Sequence, residues 1–262
     1  MDPFFGEMNE DEYRAKQRAG AIGGSALSTI YTKSAAHYVE SRSRPSSAAM
    51  RFGTAAHTLI LEPHEWSGRY LVTKPIQRRT FEDPIKTSEG WNIGDGSPCY
   101  KTKRDALAAM GADRPWSIAG SPDVYRTKAE ALAQLETQAN GRELVTQDTE
   151  IELIDLCDKV WRHPVASRLL RAQVGQDIGS IAFEHAMLWR DSDAGVDCSG
   201  KIDAFLQVEN DVDLCGLQLK AGEGIGIDLK TTGKTIHADA YARRCIDSGW
   251  HMQAAHYMAG AA

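Results

Sequence analysis

The stretch from Gly200 to Thr232 constrains this chain most. It reads Gly200-Lys201-Ile202-Asp203-Ala204-Phe205, then an insert spotted with Gly and Asp, then Gly226-Ile227-Asp228-Leu229-Lys230-Thr231-Thr232. Each apolar piece has strand character and carries one aspartate. Side chains at i and i+2 of a strand share a face, so Asp228 and Lys230 are expected to project together, with Leu229 on the other side. A hairpin between the two pieces would bring Asp203 to the same edge. Two carboxylates and an ammonium there make a metal site with a charged helper beside it.

The surrounding pattern predicts more strands. Ile181 to Trp189 alternates, with Glu184 inside it, and Asp191 to Gly195 is a turn. Val196 to Val208 carries Asp203, Leu214 to Leu219 lies between turn signals, and Ile225 to Thr231 carries Asp-x-Lys. An antiparallel meander of three or four strands between helices follows, an α/β (α+β) class. Helices are expected from Ser25, as N-cap, to near Ser41, and from Ser47 to Leu61, where Pro63 stops it. Further helices are expected at Lys101–Met110, Lys128–Asn140, Thr149–Trp161 and Val165–Arg171. Ala238 to Gly260 is helical in propensity and divides at Gly249. Residues 1–20 are polar, with a flexible beginning expected. His57 sits mid-helix among apolar and small residues, where a lone histidine more often belongs to the core than to a metal.

Composition narrows the setting. The chain has 262 residues and a net charge of −6, a mild argument against a surface coated for nucleic acid. No apolar run approaches the roughly 18 residues that span a bilayer, and the start, MDPFFGEMNEDEY, lacks a signal-peptide layout. A cytoplasmic protein without membrane contact is expected. Five scattered cysteines form no Cys-x-x-Cys pair, so neither a disulfide framework nor a zinc site is expected.

Three features join the Asp203…Asp228-x-Lys230 pattern. Gln253 and Tyr257 are four apart on a helix downstream and share a face. Gly53-Thr54-Ala55-Ala56-His57 supplies a histidine on a small-residue helix upstream, and Ser25-Ala26-Leu27-Ser28 precedes a basic Arg-Pro-Ser segment. In this order the set resembles the PD-(D/E)xK nuclease superfamily, in its RecB-like branch, and is similar to the nuclease domain of exonuclease VIII (RecE type). The likeness covers about residues 25–75 and 145–260, leaving about 80–140 as an unmatched insertion in a single nuclease domain over 1–262. The insert between Asp203 and Asp228 is longer than the expected hairpin, which brings in Asp213 and Glu223 as competing carboxylates. Such domains also usually continue past Tyr257, so a truncated C-terminus is expected.

The resemblance implies a restriction-endonuclease-like core, a central mixed sheet of four to five strands flanked by helices. It implies a metal-dependent exonuclease on linear double-stranded DNA, acting 5′ to 3′ and leaving 3′ overhangs for recombination. Asp203 and Asp228 are the expected principal ligands of Mg²⁺ or Mn²⁺, with the Leu229 carbonyl, Glu184 and His57 completing the set. Lys230 is expected to act on the attacking water, with Gln253 and Tyr257 holding Lys230 and the DNA end. Ser25 and Ser28, at a helix N-terminus, and Arg51, Arg243 and Arg244 are the candidate DNA contacts, ahead of Arg42 and Arg44. Expected partners are duplex ends, further copies in a ring, and a single-strand annealing recombination protein. The alternatives are another nuclease of the superfamily, or a catalytically silent DNA-end-binding or protein-binding module.

Overall fold

The computed structural model describes residues 3–41, 45–78, 83–94, 99–111, 115–171, 178–234 and 236–261. They form two compact units. One comprises Met1–Pro63 with Asp155–Ala262, and the other comprises His64–Ile154. The boundary on the C-terminal side falls inside the helix Gln147–Arg162.

The first unit is a mixed α+β structure around a five-stranded sheet. Its centre is a long antiparallel hairpin, Gly179–Asp191 against Val196–Val208. Alternation explains the second strand: Ile202, Ala204, Leu206 and Val208 are buried, while Lys201, Asp203 and Phe205 are only half-buried. Phe4–Gly6 joins antiparallel at one edge, beside Gly179–Asp191. Gly224–Ile227 joins antiparallel at the other, beside Val196–Val208. The short Ile22–Gly23 pairs parallel with Val196–Val208 and makes the sheet mixed. The start of the chain, expected to be flexible, therefore supplies an edge strand and then the helix Glu10–Arg18, capped by the Asn9 side chain.

The register answers the question raised by the long insert. Pairing runs from Gln207↔Gly224 to Ala204↔Ile227 and ends one residue short of Asp203 and Asp228, where the Leu229 N–H bonds the Asp203 carboxylate instead. The insert folds as its own hairpin, Val212–Leu214 against Leu217–Leu219. It buries Leu214 and Leu219 with Ile178, Leu206 and Val208. The strand itself stops at Ile227, so Asp228, Leu229 and Lys230 lie just past its end, not within the strand expected through Thr231.

Helices cover this sheet. Ala48–Leu61 begins at the Ser47 cap and packs Ile60 and Leu61 with Cys157, Leu170 and Ala204, joined by Ile227 and Leu229. The expected helix from Ser25 to Ser41 is two helices, Gly24–Thr32 and Ala35–Ser41. Gly23, not Ser25, occupies the first cap position. The break has a local cause: the Ser34 hydroxyl accepts from the His37 N–H at 3.2 Å and starts a new helix. Ala238–Asp247 and Trp250–Ala261 divide at Gly249, whose φ of +68° suits a glycine.

The second unit has its own small core of Ile118, Ala131 and Leu135. Its elements include a parallel pair, Tyr70–Thr73 with Glu143–Thr146, and a three-stranded antiparallel sheet of Ile76–Arg78, Trp116–Ile118 and Val124–Tyr125. Among the described residues no helix is long and apolar enough to cross a membrane.

Candidate metal centre

His57 reaches the sheet because its helix carries glycine one turn earlier. A Cβ on Gly53 would lie 3.1 Å from the Thr231 hydroxyl, so the missing side chain admits the segment that follows Lys230. The imidazole then meets two partners. Its Nε2 is 2.9 Å from the Leu229 carbonyl oxygen, and its Nδ1 is 3.5 Å from Asp203 Oδ1. With the Nε2 proton given to that carbonyl, Nδ1 turns a lone pair toward a carboxylate oxygen. Two acceptors facing one another favour a cation between them.

Asp203 is held from the far side. Its Oδ2 accepts the Leu229 N–H at 2.6 Å. Its side chain is 14% exposed. Burial raises its carboxyl to about 6; the His57 imidazole opposes the rise and the neighbouring Asp228 carboxylate adds to it.

Glu184 faces Asp203 across the hairpin, between the paired positions Phe183↔Ala204 and His185↔Ile202. Its φ is +51°, a left-handed conformation in the middle of a strand. Such strain in a non-glycine residue costs on the order of 1 kcal/mol or more and persists where the surroundings impose it. Ligand atoms of His57, Glu184 and Asp203 all lie within 4.8 Å of one another. Two carboxylates and an imidazole fit a hard-to-borderline divalent cation such as Mg²⁺ or Mn²⁺.

Asp228 and Lys230 sit beside this group. The Lys230 ammonium is ion-paired to the Asp228 carboxylate, and both side chains are partly exposed. Leu229 between them joins the apolar cluster under the helix of His57. The expected sharing of a face thus holds just outside the strand. Of the expected ligands, His57, Glu184 and Asp203 converge, whereas the Leu229 carbonyl lies against Nε2, on the other side of the imidazole from Nδ1, and Asp228 contacts Lys230 outside the three-residue group.

Gln253 donates its amide to the Tyr257 hydroxyl at 2.6 Å. Burial pushes that hydroxyl above the ordinary phenol range; the Gln253 contact opposes the shift, and the carboxylates of Asp228 and Asp203 reinforce it. Both residues therefore belong to the neighbourhood of the site. Close approaches seat their helix: a Cβ on Gly24 would be 3.1 Å from Gln253 Cγ, and one on Gly200 would be 3.0 Å from the Tyr257 ring.

The candidate DNA contacts are more dispersed. Ser25 is exposed, and the Ser28 hydroxyl donates to the Ser248 carbonyl at 3.4 Å. Arg51 donates to the Ser46 carbonyl at 2.6 Å, and Arg243 to the Asp239 carbonyl at 3.3 Å. Arg244 donates to the Thr232 hydroxyl, two residues past Lys230. Arg42 and Arg44 lie outside the described residues. The competing carboxylates are engaged in the insert: Asp213 accepts from the Gly216 N–H at 2.7 Å, and Glu223 from the Lys220 N–H at 2.8 Å.

One participant was missed. Lys201 Nζ lies 2.7 Å from Glu184 Oε2 and 2.9 Å from Glu10 Oε2. Its place two residues before Asp203, on the same strand face, was the available signal. No signal in the sequence linked it to Glu10. No known protein family, curated protein or solved structure matches the chain.

Proposed function

We propose that the chain is a divalent-metal-dependent deoxyribonuclease acting on the ends of linear duplex DNA. The observation that supports this reading is the convergence of His57, Glu184 and Asp203 within 4.8 Å, beside an Asp-Lys pair. Hydrolysis of a phosphodiester needs charge neutralisation at the phosphate, an activated water and a stabilised leaving oxygen. His57, Glu184 and Asp203 would hold a Mg²⁺ or Mn²⁺, which would supply Lewis acidity and an acidified water.

The chain's own groups do the rest. Asp228 holds the Lys230 ammonium at the rim of the ligand group, where it can donate to a phosphate oxygen or to the attacking water. Gln253 and Tyr257 form a hydrogen-bonded pair able to position the DNA end. Arg244, anchored beside Lys230 through Thr232, is the best placed of the arginines for backbone phosphate. The 5′ to 3′ polarity, the 3′ overhang, the ring of copies and the annealing partner rest on the resemblance to RecE-type nucleases alone.

The test is end-labelled linear duplex incubated with Mg²⁺ or Mn²⁺, with EDTA, and as a closed circle. Expected is metal-dependent release from the linear form only, abolished by Asp203→Asn and reduced about 100-fold or more by Lys230→Ala. Binding without cleavage by the unaltered protein would sink the enzyme reading in favour of a silent end-binding module. Cleavage of the closed circle would make it an endonuclease.

A further inference from the structure

Glu184 is gripped from outside the ligand group. Its Oε2 takes the Lys201 ammonium at 2.7 Å, and the same ammonium reaches Glu10 Oε2 at 2.9 Å. Glu10 lies on the helix Glu10–Arg18, and the Lys201 ammonium also stands 6.0 Å from the ring of Tyr13 on that helix. Tyr13 is buried, and Gln17, a turn later, bonds toward Ser199 on the strand of Asp203 at 3.5 Å. The helix is therefore fastened to the sheet at two points around Lys201.

Two opposite effects on a bound cation follow from this geometry. A neighbouring ammonium repels a divalent cation, so its removal would tighten binding. An ammonium that fixes the Glu184 carboxylate restrains its rotamer beside the group, so its removal would weaken binding. The left-handed backbone at Glu184 favours the second effect. A strained ligand with a free side chain has rotamers that point elsewhere, and a contact outside the ligand set selects among them.

We infer that Lys201 is a positioning residue for Glu184, and that Glu10, by anchoring Lys201, makes the N-terminal helix part of the metal site. This rests on the reading of His57, Glu184 and Asp203 as metal ligands. It requires neither DNA nor turnover.

The experiment is calorimetric titration of Mn²⁺ into the EDTA-stripped, dialysed full chain, with thermal unfolding in EDTA alongside. Lys201→Met is expected to weaken Mn²⁺ binding about tenfold while leaving the unfolding midpoint close to the unaltered protein. Lys201→Arg, which keeps a donor, is expected to retain most of the affinity. Glu10→Gln, which leaves both Lys201 and Glu184 in place, is expected to show a smaller loss of the same sign, and it decides the matter if Lys201→Met does not fold. Equal or tighter Mn²⁺ binding by the folded Lys201→Met or Glu10→Gln protein overturns the positioning role and leaves the ligand group standing. Absence of Mn²⁺ binding by the unaltered chain overturns the ligand reading and the positioning role together.

Discussion

Asp203 carries the clearest single-residue prediction. Its carboxyl ordinarily titrates at 3.8 and, mainly through burial, does so at about 6 in the fold. Between those values the folded chain holds a proton that the unfolded chain has released, so stability falls as pH rises. Well above 6 the buried charge costs on the order of 3 kcal/mol, and well below 3.8 it costs nothing. Asp203→Asn should therefore stabilise the metal-free protein at pH 7.5, with the gain shrinking as pH drops below 6. Its remaining side-chain carbonyl can still accept the Leu229 N–H. Urea unfolding in EDTA at about pH 7.5 and about pH 4.5 checks this; an equal effect at both would refute it. Under the proposed metal-dependent function, a divalent cation would supply the counter-charge that the buried carboxylate lacks.

At the scale of elements, the structure depends on how closely segments cross. Gly249 separates the last two helices, with φ +68° and a space closed by Ser28, whose hydroxyl would lie 2.1 Å from an added Cβ. Gly249→Ala should lower stability by about 1–2 kcal/mol, measured as a shift in urea midpoint. A Ser28→Gly background should recover only the steric part, because the backbone strain stays. These elements also show how much could be read beforehand. Val196–Val208 was legible to the residue because Ile202, Ala204, Leu206 and Val208 alternate with less buried residues and turn signals bound the run. The strand carrying Asp228 was not, because the Leu229 N–H leaves the ladder to bond a carboxylate from the neighbouring strand. Lys33–Ser34 was read as helix because a serine there is compatible with either a helix interior or a new cap.

For the molecule as a whole, charge is the informative quantity. A chain of net charge −6 that binds DNA must do so through a few local cations. Lys201 is already paired to Glu184, which leaves Lys230 and Arg244, on the segment beside Asp228, as the candidates for phosphate. End binding in Ca²⁺ or EDTA should therefore weaken tenfold or more between about 50 and 200 mM salt if several phosphates are contacted. A flat salt dependence in a fluorescence-anisotropy titration would argue against DNA as the partner. The two compact units add a further point at this scale. The ligand group draws on chain from both sides of His64–Ile154, with His57 before it and Glu184 and Asp203 after it.

The residue pattern alone determined the central hairpin and the helix of His57, because periodicity and local spacing are properties of neighbouring residues. Folding settled which of these atoms meet. Contacts such as His57 with Leu229 and Lys201 with Glu10 join residues far apart in the chain, through pairing register and packing. The register brings the two strands together as far as Ala204 and Ile227 despite the long insert; past that point Asp228 pairs with Lys230, and His57 and Glu184 lie around Asp203.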